Sequence, residues 1–199
     1  MNKFLLSVLF SILVINNTNA VVYNSEPKIF ITELVADALK VLEDKSISKE
    51  DKAKQIEKIA LENVDIKALG MYTLGDLRKN LDNSSLSKYN ELFEKYFLKS
   101  LTSRLTDYSS SKFEVLSADK KSVNYTIVES RIAESSNQPE IKINWRVYTK
   151  DPLKPLIRDL IVEGLSLART QKEEFSSIIN SNDGKIEALL KNLTDFTSK

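Results

Sequence analysis

The sequence predicts an α+β fold in which helices cover one face of a curved, four-stranded antiparallel sheet. Three observations carry that prediction. Apolar residues recur at helical spacing from Pro27 to about Tyr108, alternate with a period of two from Phe113 to Val162, and return to helical spacing after Gly164. Turn-forming breaks at Asp119-Lys120-Lys121, Ser135 to Pro139 and Asp151 to Pro155 divide the alternating region into four strands. Gly and Pro number four each in 199 residues, too few for a loop-rich or disordered chain. Helices, then a strand meander, then helices is the α+β order.

The N-terminal stretch MNKFLLSVLFSILVINNTNA places Lys3 before an apolar run from Phe4 to Ile15 and ends in small residues at Thr18 and Ala20. This is the pattern of a secretory signal peptide covering residues 1–20, cleaved near Ala20. The apolar run is shorter than the roughly 20 residues that span a bilayer. Residues 21–199 are then expected to form one domain in an exported compartment.

Pro27 suits the first turn of a helix that turns Phe30, Leu34, Ala38 and Leu42 inward. Ser48 is a natural cap for a second helix ending near Asn63, with Ile56, Ile59 and Ala60 inward. Short helical pieces follow at Val64 to Leu69, ending at Gly70, and at Leu74 to Leu81. The longest helix opens at Ser84 or Ser85 and presents a broad stripe of Leu86, Tyr89, Phe93, Tyr96, Phe97, Leu101, Leu105 and Tyr108. Phe113 to Leu116 reads as a first strand. Val123, Tyr125 and Ile127 then alternate with Asn124 and Thr126, and Ile141, Ile143, Trp145 and Val147 alternate with polar residues. Leu156 to Glu163 is the fourth strand. Leu167, Phe175, Ile178 and Ile179, and then Ile186, Leu189, Leu190 and Leu193, mark two closing helices.

The chain has no cysteine and no histidine, which excludes thiolate nucleophiles, disulfides, Cys/His zinc sites and histidine-based triads. Its 29 basic and 28 acidic side chains leave a net charge of +1, unlike a nucleic-acid-binding protein. No acidic cluster has metal-loop spacing, no glycine-rich loop is built to cradle phosphate, and no cofactor is expected. Asp159 and Glu163 lie four apart on a strand and share a face. The preferred reading makes that face solvated, with Leu160 and Val162 inward; the other makes the two carboxylates an acid–base pair of an enzyme. Gly164-Leu165-Ser166 is no nucleophile elbow, since Ala168 stands where the pattern needs glycine. The apolar helix stripe and the apolar sheet face either close into a core or splay into a pocket, and the pattern leaves both open.

Several segments together resemble the MlaC family of toluene-tolerance proteins. Asp159-Leu-Ile-Val-Glu-Gly-Leu-Ser166 is similar to that family's D-x-x-x-E-G-x-S signature, and Phe175 falls where the family keeps an aromatic. Lys88 to Phe93, Tyr108, and Ile141 to Arg146 resemble its long helix and its third strand. Two stretches depart from the family: Leu77-Arg78 stands where an aromatic pair is frequent, and Pro152 to Pro155 where a tryptophan is usual. The resemblance implies a fold of NTF2-like or cystatin-like shape with a deep apolar pocket between helices and sheet. It implies a periplasmic phospholipid carrier, with phospholipid as transported ligand. Its implied partners are an MCE-domain subunit of an inner-membrane ABC transporter and an outer-membrane lipoprotein–porin complex.

On this resemblance the lipid-binding lining comprises Tyr89, Phe93, Tyr96, Phe97, Leu101 and Leu105 from the helix. From the sheet side it comprises Val123, Tyr125, Ile127, Ile141, Ile143, Trp145, Val147, Leu160, Val162 and Leu165. Asp159, Glu163, Gly164 and Ser166 are expected as architecture at the strand–helix junction. Catalytic residues and a metal are not expected. A pocket-carboxylate enzyme on the same type of fold and a non-lipid periplasmic interaction module are the competing readings.

Overall fold

The computed structural model describes residues 22–105, 112–134 and 139–198. The expected leader, Tyr108 and the Ser135 to Gln138 turn lie outside the described residues.

Helix α1 (Pro27–Glu43) carries proline in its first turn, and the Glu26 side chain accepts hydrogen bonds from the Lys28 and Ile29 amides. Ser48 caps α2 (Lys49–Asn63) by accepting from the Asp51 amide. Asp65 caps α3 (Ile66–Thr73), which continues through Gly70 rather than stopping there. Gly70 is a close-approach residue: a Cβ at that position would lie 2.8 Å from Cδ1 of Phe93. A 3₁₀ turn, Gly75–Lys79, leads to the long helix α4 (Asn83–Leu105). The cap of α4 is Asp82, not a serine, since its Oδ1 accepts from the Ser85 amide at 2.8 Å.

The sheet has five strands, not four: β1 (Phe113–Ser122), β2 (Tyr125–Ile132), β3 (Ile141–Tyr148), β4 (Leu156–Val162) and β5 (Leu165–Ser166), in sequential antiparallel order. The fifth strand exists because Glu163 (φ 50°) and Gly164 (φ 82°) form a two-residue turn. Two successive positive φ values match the twist of flanking strands, so Leu165 and Ser166 fold back on Val162 and Ile161. β1 also runs straight through Asp119-Lys120-Lys121, the expected turn, and the reversal falls at Val123-Asn124. Lysines suit this stretch because β1 is an edge strand, where charge blocks pairing with foreign strands. Helices α5 (Leu167–Asn180) and α6 (Ile186–Thr197) close the chain.

The interior is divided into two cores. One is helical, built from α3, α4, α5 and α6 around Tyr89, Phe93, Phe175, Leu189 and Leu193. The other lies between α1 and the sheet, with Phe30, Ile31, Leu34 and Val35 packed on Val128, Val147 and Ile157. Val64 packs against both. It sits where the α2–α3 connection bridges in parallel to Ile157 on the free edge of β4. The expectation that α4 covers the sheet is corrected: α4 packs on α2, α3 and α6, and α1 supplies the cover. The amphipathic stripe shows which face of α4 is apolar but not what meets it.

Candidate functional site

The inner face of the sheet follows from the strand register. Thr126, Val128, Ser130 and Ile132 stand opposite Val147, Trp145, Ile143 and Ile141. Val147, Trp145 and Ile143 stand in turn opposite Ile157, Leu160 and Val162. Ile141, Ile143, Trp145, Val147, Leu160 and Val162 therefore share one face, as the sequence predicts. Tyr125 and Ile127 do not: they are on the opposite face, beside Tyr148 and Arg146. Val123 is in the β1–β2 turn and 81% exposed, and Leu165 is 69% exposed, so neither lines an interior. Thr126 and Ser130, small and polar, take the inward places because Trp145 lies against this strand. The Trp145 indole donates to Ser130 Oγ at 2.8 Å, and Ser130 Oγ donates to the Ile143 carbonyl at 2.8 Å. The missed inner residues are thus Thr126, Val128, Ser130 and Ile132 on β2 and Ile157 on β4.

On α4, the residues four apart, Tyr89, Phe93, Phe97, Leu101 and Leu105, form one row. Its first half belongs to the helical core. Tyr89 and Phe93 are buried and Tyr96 and Phe97 pack against them. Burial pushes the Tyr89 hydroxyl well above the usual phenol range, against the lowering effect of its hydrogen bond with Thr73. The second half does not join that core. Leu101 and Leu105 on α4, and Ile141, Ile143 and Val162 on the sheet, are half-buried and belong to neither buried cluster. The expected lining therefore falls into four groups: residues committed to the helical core, residues under α1, this half-buried apolar remainder, and Val123, Tyr125, Ile127 and Leu165, which are exposed or on the opposite face.

The signature segment is a joint. β4 carries a bulge opposite Arg146, so Arg158 and Asp159 both face away from the inner sheet surface. Arg158 reaches Asp65, the cap of α3, through Nε at 2.8 Å and Nη2 at 2.7 Å, with its guanidinium 3.4 Å from the Tyr148 ring centroid. Asp159 is 3% exposed. Its Oδ1 accepts from the Ala168 amide at 3.0 Å, Ser166 Oγ donates to its Oδ2 at 2.6 Å, and Arg146 is 3.4 Å away. Ser166 in turn caps α5 by accepting from the Arg169 amide. Glu163 accepts from the Lys142 amide, while its own amide donates to the Lys142 carbonyl at 3.0 Å. The solvated-face reading is corrected for Asp159, whose carboxylate is enclosed by the start of α5. The expected architectural role of Glu163 at the turn matches these bonds.

Among the described residues, no group of three or more metal-ligating side chains converges, and no helix is long and apolar enough to cross a membrane.

A family model described as MlaC protein matches residues 32–195. No curated protein matches the sequence. Among solved structures, a phospholipid-binding protein from Ralstonia solanacearum, determined in complex with a phospholipid, superposes with a TM-score of 0.71 at 15% identity. The match covers 88% of this chain and 97% of that one, and at this identity it establishes likeness of fold.

Proposed function

The chain belongs to the MlaC family, and from that premise we propose that it is a periplasmic carrier of glycerophospholipid rather than an enzyme. The observation that carries the proposal is the half-buried remainder of Leu101, Leu105, Ile141, Ile143 and Val162, which neither core absorbs. Lying outside both cores, they offer partly exposed apolar surface to acyl chains, and a protein of the same fold is known in complex with a phospholipid. Trp145 and Leu160, packed against the core under α1, and Phe97, packed against the helical core, are also only partly buried. Asp159 and Glu163 act as architecture on this reading, because their oxygens are occupied by backbone amides and Ser166.

A diacyl ligand has about thirty acyl carbons, and each buried methylene contributes about 0.8 kcal/mol, so the gross gain is on the order of 20 kcal/mol. That is near the practical ceiling for non-covalent affinity, so release into water is slow and hand-off needs a docked acceptor. An MCE-domain subunit of an inner-membrane ABC transporter and an outer-membrane lipoprotein–porin complex are the acceptor and donor this reading assigns. Organic extraction of the purified protein followed by phosphate assay tests it. Close to one phospholipid per chain is expected. A protein that carries no lipid, and takes none from phospholipid vesicles, would return the chain to the interaction-module reading.

A further inference from the structure

Two of the most exposed large apolar side chains, Val123 at 81% and Leu153 at 82%, occupy the tips of different turns. In a sequential antiparallel sheet the β1–β2 and β3–β4 turns emerge at the same end. Here they are also bonded, since the Thr149 amide donates to the Asn124 carbonyl at 2.9 Å. Local geometry holds both tips outward. Val123 occupies a two-residue reversal, and the Leu153 turn is closed by its own amide donating to Asp151 Oδ1 at 3.0 Å, between Pro152 and Pro155. Lys120, Lys121, Lys150 and Lys154 are exposed around them, against Asp119 and Asp151. Asp119 is engaged by Lys121, leaving three lysines to one aspartate.

We propose that this end of the sheet is a docking surface for an anionic phospholipid bilayer, with Val123 and Leu153 entering the headgroup region and the lysines pairing with lipid phosphates. Scattered surface apolar residues need no explanation, but two apolar tips on turns joined by a hydrogen bond, with exposed lysines in the same turns and the strand end beside them, have the composition of an interfacial contact. Lysine stems also cover apolar surface while the ammonium stays at the headgroup level. The inference does not depend on the carrier reading, because a chain with filled cores would present the same tips.

The chain has no cysteine, so single labels report unambiguously. Full-length protein carrying Leu153→Cys with an environment-sensitive fluorophore is titrated with vesicles of phosphatidylglycerol and phosphatidylethanolamine, then with phosphatidylcholine alone. The control label is Ser181→Cys, exposed in the α5–α6 connection. The expected result is a blue shift at 153 but not at 181, confined to anionic vesicles and weakened by salt. Unlabelled protein with Val123→Ser and Leu153→Ser should show about tenfold weaker vesicle partitioning with an unchanged circular dichroism spectrum. No shift at 153, equal shifts at both sites, or partitioning unaffected by the serine pair would overturn the proposal. So would a tip that binds an acidic protein but no vesicle.

Discussion

The two cores of this protein are built to different standards. The helical core gathers twelve buried residues among the described ones, and its central polar group is satisfied inside it: the Tyr89 hydroxyl is 2.7 Å from Thr73 Oγ1 and donates to the Gly70 carbonyl at 3.1 Å. Its aromatic rings interlock, with Phe175 edge-on to Phe93 at a centroid distance of 6.2 Å. The core between α1 and the sheet has seven buried residues among the described ones and, like the helical core, is flanked by partly buried side chains, here Phe113, Val115, Trp145 and Leu160. Beyond it the apolar face of the sheet continues through Ile143 and Val162 without being enclosed by either core. The difference sets a larger core, rich in interlocked rings, beside a smaller one whose sheet face continues as partly exposed apolar surface.

The largest effect should come from opening the closed core. Phe93→Ala is expected to cost about 3–5 kcal/mol, read by chemical denaturation, because the cavity lies among rings that cannot collapse into it. Next is the joint. Asp159→Ala leaves the Ala168 amide and Ser166 without their acceptor and should cost about 2 kcal/mol. Combining it with Ser166→Ala should add less than the sum, because the two side chains serve one network. Gly70→Ala should cost about 1 kcal/mol, the overpacking against Phe93 exceeding the gain in helix propensity. The smallest stability effect is expected for Ile143→Ala, below about 1 kcal/mol, because that side chain is already partly open. If Ile143→Ala proved as costly as Phe93→Ala, the distinction between the two regions would fail.

Much of this division lay within reach of the sequence, and the rest did not for identifiable reasons. Helix positions were legible from local chemistry, since Pro27 and Ser48 act within one turn of where they stand. The inner face of β3 was legible because Ile141, Ile143, Trp145 and Val147 are apolar and their alternates polar. β2 was not. Tyr125 and Ile127 are larger and more apolar than Thr126 and Ser130, so alternation alone favours the wrong face. A one-residue offset moves every side chain across the sheet, and here it is set by partners on β3. Asp159 looked solvent-facing because a regular strand would alternate it with Leu160. A bulge and the approach of α5 bury it, and neither is a property of the local sequence. Its spacing to Ser166 across a Glu-Gly turn was the available signal, carried by the family resemblance rather than by periodicity.

The central claim is that the unabsorbed apolar surface holds acyl chains. Native mass spectrometry of the protein, set beside a variant in which Leu101→Phe and Ile143→Phe partly fill that surface, tests it most directly. A mass excess of one diacyl phospholipid is expected on the natural chain. Most of that excess should be lost on the variant, at an unchanged circular dichroism spectrum. Equal lipid occupancy on both folded proteins, or an apo mass for the natural chain after incubation with phospholipid vesicles, would contradict it.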